Sequence, residues 1–178
     1  MPQPSSNETS CKLRRTLLIR IRLTILFFMA ALALSGITAF PLTAEVQLLN
    51  HGLGKGTVVG DQFPELANWL KKIETGLEYN DRNFPFIAYG TDWLAFAHLV
   101  IAIAFIGPFR DPIRNVWVIH FGMICCVLIF PLALFCGALR GIPLGWQLID
   151  CSFGLFGLIP LWLILRWIRQ LEQIQTKS

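Results

Sequence analysis

The chain has 178 residues, of which 54% are hydrophobic, and its mean hydropathy is +0.58. A soluble domain of that size holds about 45–50% apolar residues and scatters them along the chain; here they form long blocks, which excludes an ordinary soluble domain. The net charge of +4 would suit a nucleic-acid partner, but the basic residues gather at the ends of apolar runs, as membrane topology requires. Five cysteines form neither a C-x-x-C pair nor a zinc pattern.

The first ten residues are rich in Pro, Ser and Asn and are expected to be disordered. Residues 1–22 read as a cytoplasmic tail carrying Lys12, Arg14, Arg15, Arg20 and Arg22. An apolar run, residues 23–40, follows. Ile37-Thr38-Ala39 resembles a small-residue cleavage site. However, the apolar region of a signal peptide is about 7–15 residues long, so this longer run is read as a retained anchor, ended by Pro41.

Residues 41–86 form the one long polar excursion. Asn50-His51-Gly52-Leu53-Gly54-Lys55-Gly56 does not fit the phosphate-loop pattern, has no α/β context and is expected to be a flexible loop. From Pro64 to Tyr79, Leu66, Trp69, Leu70, Ile73 and Leu77 recur at helical spacing. This predicts an amphipathic helix on the membrane surface or capping the bundle, with Trp69 at the interface.

Three further apolar runs, residues 87–107, 116–137 and 147–166, each approach the roughly 17–25 residues that span a bilayer. They complete a membrane domain of residues 23–170, followed by a polar tail, 171–178. Short turns, Pro108 to Asn115 and Ala138 to Trp146, predict that spans two, three and four are antiparallel neighbours. The expected fold is an all-α integral membrane protein, a four-span bundle with an extracytoplasmic amphipathic helix between spans one and two.

Orientation follows from charge. With the N-terminus inside, the inner side receives the five basic residues of the tail, Arg110 and Arg114, and Arg166, Arg169 and Lys177. Only Glu8, Asp111 and Glu172 oppose them there. Short loops rich in Lys and Arg stay cytoplasmic, so both termini are placed inside. Trp93 and Trp146 then fall at the outer interface, with Trp117 and Trp167 at the inner one. The expected location is the bacterial inner (plasma) membrane, with lipid as the surrounding partner.

Titratable groups at membrane depth are the default functional candidates. His98 shares a face with Ala95 and Ala102, which points it into the bundle, toward a hydroxyl or a carbonyl freed by Pro131 or Pro160. Asp92, Arg140 and Asp150 collect at the outer ends of the spans. As a binding set they would take a polar headgroup; with His98 as a third acid–base group, Asp92 and Asp150 are the catalytic candidates of a lipid-modifying enzyme. The commoner reading of such a set is an ion cluster pinning helix ends together. Asp150, Gly154, Gly157 and Leu161 share a closely packing face. Cys136 and Cys151 are the disulfide candidates, closing a loop of about 15 residues. Haem between His98 and His120 is disfavoured by a depth mismatch of about 7–8 Å at 1.5 Å per residue; no cofactor and no metal are expected. The favoured role is a non-enzymatic protein that supports a membrane assembly, a second copy or another membrane protein being the partner, or that binds a lipid or small ligand. The alternatives are the outer-face enzyme and a thiol-redox or haem protein.

Overall fold

A computed structural model describes residues 6–176, with side chains from Ser10 onward. The disorder expected of residues 1–5 and the inner placement of Lys177 lie outside the described residues. Among those residues the structure is all-helical, and four stretches are long and apolar enough to cross a membrane: Ser10–Ala39, Pro85–Arg110, Val116–Leu139 and Leu144–Thr176.

Helix α1 (Ser6–Ala39) is one continuous rod of 34 residues, about 51 Å at 1.5 Å per residue. It contains no proline, its basic and aliphatic residues are good helix formers, and Pro41 stops it. Residues 6–22 are therefore helix. In place of the expected loop the chain forms α2 (Leu42–Leu53) and α3 (Val58–Gln62), while α4 (Pro64–Asn83) covers the helix expected from Pro64 to Tyr79 and runs one turn further. Only the second half of the glycine-rich stretch is a turn, closed by Gly56 at φ +83° and by Thr57, whose hydroxyl accepts from the Gly60 N–H at 3.0 Å.

A 3-10 turn, Pro85–Ala88, leads into α5 (Tyr89–Ala104), and a short α6 (Ile106–Arg110) follows the break at Phe105. Helix α7 (Val116–Pro131) changes to a π turn over Leu132–Cys136 and then to α8 (Gly137–Leu139). The cause is Pro131, which has no N–H for the Val127 carbonyl and crowds it, so the helix widens directly after the proline. Gly141, at φ +65°, ends α8 in a Schellman motif, with Ile142 N–H on Gly137 O at 3.0 Å and Gly141 N–H on Ala138 O at 3.2 Å. Helix α9 (Leu144–Thr176) runs for 33 residues.

The four long stretches pack as two antiparallel pairs, α1 with α5 and α7 with α9, joined mainly along α1 and α9. Both pairs close on glycines. A Cβ on Gly36 would lie 2.8 Å from the Ala95 carbonyl oxygen, and one on Gly154 would lie 2.6 Å from that of Cys126. The pairs meet at Phe105, whose ring stands 4.8 Å from that of Phe28 in α1 and fills the space beside Gly122 of α7. The main core lies at and below that level, toward the chain termini, and includes Leu17, Ile21, Ile25, Ile119, Ile164 and Ile168. Arg22 Nε adds a bond to the Phe109 carbonyl at 3.2 Å. One expectation is thus corrected. Spans two and three do not pack along one another despite their short turn: α5 packs on α1 and α7 on α9, with the break at Phe105, α6 and the 111–115 turn between them. The basic segment is continuous with α1, and its aliphatic residues Leu17 and Ile21 are buried in the core shared with α9.

Candidate functional site

The candidate residues do not come together. Asp92 lies in the first turn of α5, half-buried, where an acid favours the positive end of a helix. Asp150 is half-buried on α9, in the other pair, and Arg140 is exposed in the turn after α8. Among the described residues the one ion pair is Lys71–Glu74, so no charge cluster pins Asp92, Arg140 and Asp150 together. None of the three surface cavities described below, nor a fourth beside Arg169 and Glu172 near the end of α9, is lined by these three residues or by His98.

His98 does sit on the face it shares with Ala95 and Ala102, both buried, and that face meets α1 at Gly36, where a Cβ would lie 3.0 Å from the His98 Cβ. Its hydrogen bond is local, however: Nδ1 lies 2.8 Å from the Leu94 carbonyl oxygen one turn back in α5. A carbonyl only accepts, so Nδ1 carries the proton. His120 is exposed on α7. Phe105 and Gly122 share a level, His98 lies seven residues to one side and His120 two to the other, so their depths differ by roughly 13 Å at 1.5 Å per residue. All five cysteines are free thiols, Cys136 half-buried and Cys151 buried. No group of three or more His, Cys, Asp or Glu able to hold a metal exists among the described residues.

The organised polar chemistry is in the hairpin of α2 and α4, which the sequence reading left half unassigned. Three carboxylates follow one stripe of α4, and each accepts from a neutral side chain on α2. Thr43 Oγ1 donates to Asp81 Oδ2 at 2.6 Å, Gln47 Nε2 to Glu78 Oε1 at 3.2 Å, and Asn50 Nδ2 to Glu74 Oε2 at 2.5 Å. Steps of four and three residues on both helices, run in opposite directions, keep the partners opposed. Lys71 Nζ adds a bond to Glu74 at 2.8 Å. Apolar contacts complete the hairpin through buried Val46, Ala67 and Leu70.

This hairpin shapes three cavities. One, about 640 Å³, is broad and basic, with Lys55, Lys71 and Lys72 beside Tyr79. A second, about 320 Å³, lies where Trp69 and Glu65 approach Pro143, so α4 reaches over to the turn between α8 and α9; the Trp69 Nε1 there is buried without a hydrogen-bond partner. The third, about 500 Å³, lies at the corner where α1 turns into α2, closed by the end of α4 and the start of α5. Sequence reasoning missed all three. The first two are formed by α4 with Lys55 or with Pro143, residues distant from it in sequence, and the third needs α2, whose apolar Leu42, Val46, Leu49 and Leu53 are spaced for a helix but diluted by Glu45, Gln47, Asn50 and His51.

No family model matches this chain, and neither a curated protein nor a solved structure is significantly similar to it.

Proposed function

We propose that the chain is an integral membrane protein of four spans, with both termini on the cytoplasmic side and the α2–α4 hairpin on the opposite face. It acts there without turnover, as an interaction or ligand-binding protein of the bacterial inner membrane. The observation that carries the reading is the surface of the long helices. Phe27, Phe135 and Phe156 are each about two-thirds exposed, and Leu23, Leu34, Ile103, Ile124 and Leu132 are more than half exposed. Apolar surface on that scale needs a covering, and only helices with satisfied backbones are tolerated in lipid. The separation of Asp92 and His98 on α5 from Asp150 on α9, in the other helix pair, favours binding over catalysis, while the hairpin gathers polar groups and concave surface at one end.

Two measurements test the proposal. The chain should stay with membranes through an alkaline carbonate wash. In a variant whose other cysteines are serine, an impermeant maleimide on whole cells should label Gly76→Cys in α4 and leave Cys11 unlabelled. Release by carbonate, or labelling of both positions from outside, would sink the reading.

A further inference from the structure

We infer that the corner cavity between α1, α2, α4 and α5 binds an amphiphile through an ammonium headgroup, with the Asp81 carboxylate as its counter-ion. The inference rests on the membrane reading above, which puts this corner at headgroup depth.

A volume of about 500 Å³ falls within the roughly 300–1,000 Å³ usual for ligand sites. The walls divide by chemistry. Thr43, Asn80, Asp81 and Thr91 give polar groups, while Phe40, Leu77 and Ile87 give apolar surface. Of all the lining residues only Asp81 is charged; no lysine or arginine lines the cavity, and the hairpin's Lys55, Lys71 and Lys72 line a different one. A phosphate or sulfate head would therefore meet a carboxylate and no counter-charge, whereas a cation is favoured. Asp81 accepts one hydrogen bond, from Thr43, and an ionised carboxylate has about four acceptor positions, so it retains capacity for a ligand. A lone carboxylate with hydroxyls and an amide is a poor set for a divalent ion, which draws on several anionic oxygens. An ammonium group fits better, because Phe40 adds an aromatic ring to the same wall. The apolar surface continues outside the cavity: Ile37 and Leu34, about one and two turns before Phe40 on α1, are exposed and offer a track for an alkyl chain.

The test is native mass spectrometry of the full chain released from a neutral maltoside detergent, titrated with dodecyltrimethylammonium, dodecyl sulfate and tetramethylammonium. The expected result is one dodecyltrimethylammonium per chain, with tetramethylammonium and dodecyl sulfate binding far more weakly. Asp81→Asn keeps an acceptor for Thr43 and removes the charge; it should weaken binding by about tenfold or more, the scale of one charge-assisted contact. Glu65→Gln, on the same helix but outside this cavity, should bind as the parent does. Ala44→Trp, an exposed lining position, should block the site with its charge intact. Unchanged binding in both Asp81→Asn and Ala44→Trp overturns the inference, as does equal binding of dodecyl sulfate or of tetramethylammonium. Release of the chain by carbonate would refute the membrane reading separately, since the detergent titration is scored on its own.

Discussion

The carbonyl oxygen of Cys126 rests against the α-carbon of Gly154, so close that a methyl group there would sit 2.6 Å from it. The obstacle is backbone, which cannot rotate away. Gly154→Ala should therefore push α7 from α9 and cost about 1–3 kcal/mol, the usual range for overpacking a tight contact. Gly90→Ala is the control, because nothing lies within 4 Å of its missing Cβ, and it should fall within about 0.5 kcal/mol of the parent. Denaturation midpoints of the two variants in one detergent decide the matter, and equal midpoints would mean that this contact is not a constraint.

Gln147 is the one buried polar side chain among the described residues. Its Nε2 donates to the Ile142 carbonyl at 2.7 Å, and its side chain lies over Gly137. Gln147→Leu keeps the bulk and leaves that carbonyl unpaired, for a cost of about 1–3 kcal/mol. The loss should appear as a lower melting temperature, with the turn at Gly141 becoming accessible to protease before the rest of the chain. A variant that melts with the parent would show that water replaces the amide.

Ile21 is fully buried in a segment otherwise marked by five basic residues. Ile21→Ala should destabilise the chain by about 2–5 kcal/mol, whereas the exposed neighbour Ile19→Ala should stay within about 0.5 kcal/mol. Similar unfolding midpoints for the two would mean that the buried face of this segment adds nothing to stability.

Glu74 links the two helices of the hairpin, and the Lys71 hydrogen bond holds its carboxyl below the ordinary 4.5. A lowered carboxyl contributes fully above that ordinary value, and the contribution is lost as pH falls through the lowered one. Lys71 is raised above 10.5 by the same hydrogen bond, so its share is present below 10.5 and lost at higher pH. Lys71 is exposed while Glu74 is half-buried, and a pair with one solvated partner is weak, so acid should loosen the hairpin without unfolding the chain. Spin labels at Gly52→Cys and Gly76→Cys should report a narrow distance distribution near neutral pH and a broader one at about pH 3. In Glu74→Gln the distribution should change little between the two. Identical distributions for the parent at both values would argue that the ladder contributes nothing to the hairpin's order.

The long helices were legible because uninterrupted apolar runs need no partner to be recognised. Their pairing was not. A short turn keeps two helix ends close, but the break at Phe105 with α6 behind it turned α5 toward α1 instead of α7. Leu17, Ile21 and Ile25 recur every four residues, a helical signal obscured by the arginines between them. For the site, sequence placed His98 on its small-residue face but supplied the wrong hydrogen-bond partner, since the Leu94 carbonyl is always within reach one turn back. Asp92, Arg140 and Asp150 were grouped by expected depth alone, and depth carries no information about which helix stands beside which. The ladder from Thr43, Gln47 and Asn50 to Asp81, Glu78 and Glu74 was visible only as matched spacings on two segments, one of which had not been assigned as helix.

Leu17 and Leu171 belong to the same core, yet almost the whole chain is synthesised between them. Chains emerge from the ribosome N-terminus first, so α1 leaves with its buried face unmatched and can first be joined by α5. The other pair, α7 and α9, arrives afterwards as a second hairpin. The aliphatic face of the first helix is therefore sealed only when the last helix is made, and until then the nascent protein is a half-closed intermediate in need of shelter.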